Sequence, residues 1–160
     1  MMQTIIYSPE NQPNNLQRKD LIEFLFTHLE QYGDRKEDIE KCLLYAITSK
    51  NGGMIVAMLE QNELVGASIV NRTGMKGYIP ENILVYIATH NQHRGKGIGS
   101  RLMHSVIEHT EGNLALHVEP DNPAKTLYEK CGFTNKYLEM RLDKNKMTQK
   151  KEEKHGAYNA

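Results

Sequence analysis

The sequence predicts an α/β protein whose mixed, mostly antiparallel central sheet is flanked by helices. In the N-terminal third, apolar residues recur with a helical period, whereas residues 54–89 hold three β-rich segments joined by short turns. After residue 89, helical and strand patterns alternate, which is typical of strands paired in parallel through a connecting helix. A meander with short turns and a β-α-β unit together require strands of both orientations in one sheet.

One strand and two helices are predicted in the N-terminal third of the chain. Residues 3–7 form the strand, and an apolar stripe over residues 16–32 predicts the first helix, which Asn15 is placed to cap. Asp34 and Glu37 resemble a capping box at the start of the second helix. Two consecutive glycines end that helix before the β-rich region begins.

Turn residues and changes of period divide the rest of the chain. Because Pro80 cannot donate a ladder hydrogen bond, its strand is expected to begin irregularly or to lie at an edge there. Residues 1–142 form a single predicted domain, and the polar residues 143–160 predict a mobile tail or a short surface helix. The remaining predicted elements are strands at 54–60, 63–71 and 78–89, a turn at 61–62, a helix at 98–111, a strand at 114–118, a helix at 123–131 and a last strand at 133–142.

Composition and charge exclude several kinds of partner. The 160 residues suffice for one domain with its own core, and 20 basic residues balance 20 acidic ones, so the whole chain has no attraction for nucleic acid. Cys42 and Cys131 lie far apart without a CxxC spacing, which indicates neither a disulfide framework nor a zinc site. The seven histidines complete no ligand pattern, so we expect them to be solvated and the protein to hold no metal.

Neither export nor membrane insertion is predicted. The N-terminal residues MMQTIIYSPE lack a basic stretch followed by an apolar one, so they do not resemble a signal peptide. The longest apolar run, residues 83–88, is far too short to span a bilayer. We therefore expect a soluble, cytoplasmic protein with no membrane partner.

The stretch QHRGKGIG at residues 92–99 is the most informative part of the sequence. It places three glycines at alternate positions, with Arg94 and Lys96 among them, between a predicted strand and a predicted helix. Glycine permits a tight turn or a close approach to the backbone. Helix N-termini present unpaired N–H groups and partial positive charge, so this loop is a candidate anion site, above all for phosphate.

Three explanations of this loop compete, and the first two are a flexible turn and a dinucleotide site. A flexible turn with solvated cations is the plain one, although three glycines leading directly into an amphipathic helix disfavour it. A dinucleotide site would match the order of elements and Glu119 about twenty residues later. However, the spacing is GxGxG rather than GxGxxG, and too few residues follow to build two mononucleotide halves. The P-loop pattern GxxxxGK[ST] does not occur.

The third explanation is a coenzyme A pyrophosphate site, and it rests on two blocks of sequence. Residues 94–99, RGKGIG, match the pattern Q/R-x-x-G-x-G/A, and residues 117–133, HVEPDNPAKTLYEKCGF, resemble V-x-x-x-N-x-x-A-x-x-L-Y-x-K-x-G-F. These two patterns, in this order, are those of the GNAT superfamily of acetyl-CoA-dependent N-acyltransferases, which the chain resembles over residues 54–142. The matching residues of the second block are Ala124, Leu127, Tyr128, Lys130, Gly132 and Phe133.

The resemblance implies the GNAT fold and direct transfer of an acetyl group from acetyl-CoA to a primary amine in a ternary complex. It implies that Tyr128 gives a proton to the departing thiolate. The family asparagine position holds Asp121, with Asn122 beside it; since a carboxylate next to a pyrophosphate is unfavourable, we expect Asn122 to take that role. The implied coenzyme-binding residues are Ile87, Ala88, Thr89, Arg94, Gly95, Lys96, Gly97, Ile98, Gly99 and Asn122.

The general base and the acceptor stay open at this point. Glu81, Glu119 or water could take the proton of the attacking amine. The acceptor is expected to lie against the first two helices and residues 78–82, and a small amine, an amino acid, an aminoglycoside-like compound and a peptide amine are all compatible. The protein could be a monomer or a homodimer. The alternative is a non-catalytic acyl-CoA sensor, which would have no need of Tyr128.

Overall fold

The computed structural model describes residues 1–147, and these residues contain a single five-stranded sheet with the strand order β1-β2-β3-β4-β5. The first four strands pair antiparallel with their neighbours, and β5 pairs in parallel with β4. The predicted mixed, mostly antiparallel sheet is therefore confirmed. The strands are β1 (Met2–Tyr7), β2 (Gly53–Glu60), β3 (Glu63–Arg72), β4 (Asn82–Thr89) and β5 (Leu114–Leu116).

Two pairs of helices cover the two faces of the sheet, and each pair encloses its own apolar core. The first core contains the buried side chains of α1 and α2, and the second contains those of α3 with Tyr128 of α4. The sheet separates the two cores. The helices are α1 (Asn15–His28), α2 (Lys36–Thr48), α3 (Ile98–His109) and α4 (Ala124–Lys130), with short 3-10 turns at Glu30–Tyr32 and Asn91–His93.

The start of α1 differs by one residue from the prediction. Asn14, not Asn15, is the capping residue, because its side chain accepts from the Gln17 amide at 2.8 Å while the Gln17 side chain accepts from the Asn14 amide. The helix also ends earlier than predicted, at His28. Glu30, which follows, has a φ of +55°, so the chain leaves the α-helical path there and forms a separate 3-10 turn.

The capping box predicted at Asp34 and Glu37 is wrong. The N-cap of α2 is Arg35, which makes no side-chain capping bond, and α2 begins at Lys36. The Asp34 carboxylate instead accepts a hydrogen bond from the hydroxyl of Tyr86, on the sheet. A tertiary partner has therefore taken the side chain that local sequence assigned to the helix terminus.

The β2–β3 hairpin turns at Gln61 and Asn62, both with positive φ, as the sequence predicts. Strand β4 begins at Asn82 rather than at residue 78, because residues 78–81, including Pro80, belong to the preceding loop. A bulge then interrupts its pairing with β3, since Val70 opposes Leu84 and Ile69 opposes Tyr86. Val85 is the residue left without a partner on β3.

The last predicted strand, at residues 133–142, is wrong, because the structure places no strand there. Phe133 packs against the second core, but a turn in which the Lys136 amide donates to the Thr134 carbonyl interrupts the extended path. β5 is also only three residues long and offers a short edge for pairing. Beyond the turn, the apolar side chains of Tyr137, Leu138, Met140 and Leu142 are exposed.

The polar tail predicted for residues 143–160 lies mostly outside the described residues, since these end at 147. Residues 144–147 form one helical turn, closed by the Met147 amide on the Asp143 carbonyl at 2.9 Å. This turn agrees with the surface-helix alternative for the start of the tail.

Candidate active site

Strands β4 and β5 stop pairing before the middle of β4. They pair only from Asn82 opposite Leu114 to Leu84 opposite Leu116, whereas β4 continues to Thr89. Over that second half β4 is paired with β3 on one edge, and no other strand among residues 1–147 covers the opposite edge. An open edge presents backbone N–H and C=O groups that an extended ligand can pair with.

Side chains of this half of β4 point alternately to the two faces of the sheet. Tyr86 and Ala88 belong to the core under α1 and α2, while Ile87 packs against the core under α3 and α4. The predicted coenzyme-binding residues 87–89 are thus at the open edge. Because successive peptide groups of a strand alternate in direction, at most two of the three N–H groups face that edge.

The glycine loop lies at the N-terminus of α3 and has the geometry of an anion site. Gly95 and Gly97 have φ of +81° and +80°, and a Cβ added to either would meet no atom within 4 Å. Gly97 is the N-cap of α3, so no capping side chain occupies the free amides of the first turn, among them those of Ile98 and Gly99. The backbone is therefore exposed and unobstructed on this side, which fits a phosphate group.

Gly99 meets a different constraint, its close packing against α4. A Cβ at this position would approach the side chain of Leu127, on α4, to 2.9 Å. Because Gly99 has no Cβ, the first turn of α3 can lie against α4. The three glycines of the loop thus serve two needs, positive φ at two positions and close helix packing at the third.

The two cations of the loop are used differently. The Arg94 guanidinium lies 3.2 Å from the Glu30 carboxylate and donates to the His28 carbonyl at 3.1 Å, so it ties the loop to the end of α1. Lys96 is exposed and makes no ion pair with another described residue. Arg94 therefore positions the loop with its side chain, whereas Lys96 has its charge available for an anion.

Tyr128 lies on α4, on the same face of the sheet as α3. It is 8% exposed and packs in the second core, with its ring edge-on to Phe133 at 6.1 Å between centroids. Its hydroxyl makes no hydrogen bond with any residue in 1–147. Burial raises the pKa of Tyr128 to about 12, so the phenol keeps its proton at neutral pH.

Asp121 and Asn122 precede α4 and make different contacts. The Asn122 side chain accepts from the Ala124 amide at 2.9 Å and so orients the start of α4. The Asp121 carbonyl accepts from the hydroxyl of Tyr32 at 3.2 Å, while its carboxylate has no hydrogen-bond partner within the described part of the chain. The structure thus gives Asn122, not Asp121, a side-chain role at this helix.

The two carboxylates considered as bases lie in different places. Glu81 precedes β4 at the end opposite the glycine loop, and its carboxylate accepts from the amides of Gly77 and Asn113 at 3.0 and 2.8 Å. These bonds lower the pKa of Glu81, and the arrangement joins two loops. Glu119, in contrast, is exposed and follows the carboxyl end of β5, which is at the same end of the parallel pair as the glycine loop.

Two sets of residues near the glycine loop were missed by sequence reasoning. The ring of His90 contacts that of His28, with 4.1 Å between centroids, and that of His93 edge-on, with 5.1 Å between centroids; His28 is only 9% exposed. The expectation of solvated histidines is therefore wrong for His28, whose pKa is lowered by burial and by the charges of His90 and Arg94. The ring nitrogen Nδ1 of His28 accepts from the Asn91 amide at 3.1 Å, and this bond helps hold the loop.

The second missed pair is Asp34 and Tyr86, which are 52 residues apart in the chain. No local pattern links them, and the only signal that involved Asp34 was the apparent capping box. Among residues 1–147 no group of three or more His, Cys, Asp or Glu side chains could hold a metal ion. No helix in this part of the chain is long and apolar enough to cross a membrane.

A mixed sheet that opens between two parallel strands, beside a glycine-rich helix start, fits an acyltransferase. The chain matches the acetyltransferase (GNAT) domain over residues 50–135, more than half of its length, and it belongs to this family. The sheet has one parallel pair among the described strands, so it is not the doubly wound sheet of a dinucleotide fold. No curated protein matches the chain significantly.

Solved structures agree with this fold. A probable acetyltransferase from methicillin-resistant Staphylococcus aureus is 22% identical, with a TM-score of 0.63 over 89% of this chain and 99% of that one. A ribosomal-protein-alanine N-acetyltransferase from Brucella melitensis is 14% identical, with a TM-score of 0.62 over 89% and 99%. An aminoglycoside acetyltransferase from an uncultured soil sample is 21% identical, with a TM-score of 0.60 over 89% and 98%. At these identities the likeness concerns the fold.

Proposed function

We propose that this acyltransferase moves an acetyl group from acetyl-CoA to a primary amine by direct attack while both substrates are bound. The observation that carries the proposal is the open edge of β4 beyond Leu84, which leads directly into the glycine loop and the start of α3. The last five residues of β4 have only β3 as a neighbour among residues 1–147, so their outer edge is free to pair with an extended ligand.

The residues around this opening fit acetyl-CoA. Free amides from Gly97 onward and the charge of Lys96 would hold the pyrophosphate, and Arg94 would hold the loop in place through Glu30. The edge of residues 87–89 would pair with the pantetheine arm as a neighbouring strand does. Asn122 would support the arm by fixing the start of α4.

Bound acetyl-CoA supplies a thioester carbonyl that a neutral amine can attack. The N–H groups of β4 at the open edge would donate to its oxygen as negative charge develops there. Tyr128 would donate a hydrogen bond to the departing sulfur. Because the pKa of Tyr128 is about 12 and that of a thiol is about 8.5, a complete proton transfer is uphill, so hydrogen bonding is the larger part of its effect.

The acceptor would approach from the α1/α2 face, because α3 and α4 occupy the other face beside the glycine loop. The proteins of similar fold act, by their names, on acceptors as different as a ribosomal protein and aminoglycosides. A small-molecule or peptide amine is therefore the acceptor class that we propose. Of the candidate bases, Glu119 or water fits the opening, and Glu81 does not, since it lies at the other end of β4.

The test is release of free coenzyme A thiol from acetyl-CoA in the presence of a panel of amines. The panel should contain a monoamine, a diamine, an amino acid, an aminoglycoside and a lysine-containing peptide, with mass spectrometry of each product. Amine-dependent thiol release with a mass gain of one acetyl group is expected. If acetyl-CoA raises the melting temperature but no amine releases thiol, the sensor alternative replaces this proposal.

A further inference from the structure

The segment between α1 and α2 contacts three of the parts that surround the opening between β4 and β5. Glu30 pairs with Arg94 of the glycine loop, and Tyr32 donates to the carbonyl of Asp121, ahead of α4. Asp34, two residues after Tyr32, accepts from the hydroxyl of Tyr86, on β4 itself. The segment therefore forms the wall of the opening on the α1/α2 face, where the proposed acceptor would enter.

The contact of Asp34 with Tyr86 fixes a carboxylate at this wall. Tyr86 is 7% exposed, and its hydroxyl lies 2.5 Å from Oδ2 of Asp34. Burial and the hydrogen bond to Asp34 raise the pKa of Tyr86 well above its ordinary value, so the hydroxyl remains a donor. One carboxylate oxygen is thereby held in place, while Asp34 itself is exposed to solvent.

Asp34 differs from two neighbouring carboxylates because it has no cation; Glu37 has none either, but no hydroxyl among residues 1–147 orients its side chain. Glu30 is paired with Arg94 at 3.2 Å, and Asp38 is paired with Arg35 at 3.4 Å. Asp34 makes no ion pair with any residue in 1–147. A carboxylate that is oriented by a buried hydroxyl, exposed on its other side and without a cation is arranged to receive one from outside.

The position of Asp34 shows which cation it can receive. It lies at the far end of the Tyr86 side chain, so the length of a tyrosine separates it from the strand edge where the thioester would lie. The nitrogen that attacks must be at that edge and must be neutral. A carboxylate stabilises the charged form of an amine that it binds, so Asp34 suits an ammonium that does not react.

We propose that Asp34 binds a second ammonium group of the acceptor, and that the acceptor is consequently a diamine or a larger polyamine. This inference rests on the proposed function. The distal nitrogen forms the new N–C bond as the C–S bond breaks; its proton leaves, and the coenzyme departs as the thiol. The ammonium at Asp34 keeps its proton throughout. Asp34 is thus a specificity residue for the acceptor, and Tyr86 is its positioning residue.

The test compares two acceptors that differ only in the second amine, hexamethylenediamine and hexylamine. Asp34→Asn keeps the shape of the side chain and an oxygen for Tyr86 but removes the charge. We expect kcat/KM for the diamine to fall about 10- to 100-fold, the range of a charge-assisted hydrogen bond. We expect kcat/KM for hexylamine and KM for acetyl-CoA to stay within about threefold, because neither uses Asp34. Glu108→Gln, which removes an exposed carboxylate on α3, is the control and should change none of these values.

Tyr86→Phe is a second test variant, because it keeps the charge of Asp34 but removes the hydrogen bond that orients the carboxylate. KM for the diamine should rise by less than in Asp34→Asn, with kcat nearly unchanged. If Asp34→Asn fails to fold, the parent protein decides, since it should prefer the diamine over hexylamine at least about tenfold. Equal use of the two amines by the parent, or equal losses in Asp34→Asn, would overturn this inference and leave the proposed function standing. If the parent acetylates no amine, both fall.

Discussion

Replacing Tyr128 by phenylalanine tests whether the hydroxyl acts on the departing sulfur. The hydroxyl has no hydrogen-bond partner among the described residues, so its removal should leave the free energy of unfolding within about 1 kcal/mol of the parent value. A complete proton transfer from a phenol of pKa about 12 to a thiolate of pKa about 8.5 is uphill by ~5 kcal/mol. A hydrogen bond to a charged acceptor is instead worth ~1.5–3 kcal/mol, which corresponds to a fall in kcat of about 10- to 100-fold.

The assay is thiol release under saturating acetyl-CoA and amine, with the dissociation constant of acetyl-CoA measured separately by calorimetry. That constant should stay within a few-fold, because the bond forms mainly as charge develops on sulfur. Tyr7→Phe is the matched control, since Tyr7 is also a buried tyrosine without a hydroxyl partner in residues 1–147, but it lies in the other core. An unchanged kcat in Tyr128→Phe, or an equal fall in Tyr7→Phe, would refute the reasoning and leave Tyr128 as a packing residue.

Three further outcomes follow from the loop and its surroundings. Acetyl-CoA at a hundredfold excess over its dissociation constant should stabilise the parent fold by ~2.7 kcal/mol and so raise its melting temperature, and Gly97→Ala should abolish this rise. Gly77→Ala, which has a similar φ and equally open space in a distant loop, should keep it. In calorimetry, Asn122→Ala should weaken acetyl-CoA binding because α4 loses its side-chain bond, and Asp121→Asn should not; the reverse order would exchange their assignments. Because the pKa of His28 is lowered in the fold, the unfolded chain binds more protons, so stability is full above about pH 6.5 and falls below it. Urea titrations of His28→Asn should show a flatter dependence below that pH, and an unchanged slope would assign the loss to other groups.

Most of the fold could be predicted because its signals are local. The stripe of Leu102, Val106 and Ile107 predicts α3, although Ile107 proves to be exposed. The hairpin at Gln61 and Asn62 is visible as a turn between two apolar runs. The glycine loop could also be located, because positions with positive φ or close packing favour glycine, and glycine is visible in the sequence. Helices, turns and glycine positions can be predicted from the residues alone where no distant contact competes with the local preference.

What could not be predicted depends on distant partners. Asp34 has the local pattern of a capping residue, yet the buried hydroxyl of Tyr86 takes its carboxylate. Phe133 to Leu142 has strand-like residues, but a strand requires an edge, and β5 ends after three residues. The ion pair of Arg94 with Glu30 could not be predicted either, because the two residues are 64 positions apart. In each case a residue far along the chain, rather than a neighbour, decides the outcome.

The division of the interior into two cores has a consequence for how such a protein changes over generations. Side chains under α1 and α2 do not share a core with those under α3 and α4, because the sheet lies between them. Substitutions on the two faces should therefore combine nearly additively. Lineages can remodel the α1/α2 wall toward a new acceptor while the coenzyme-binding face stays intact, provided that Glu30, which pairs with Arg94 of the glycine loop, is kept. On the same condition a designer can randomise the neighbourhood of Asp34.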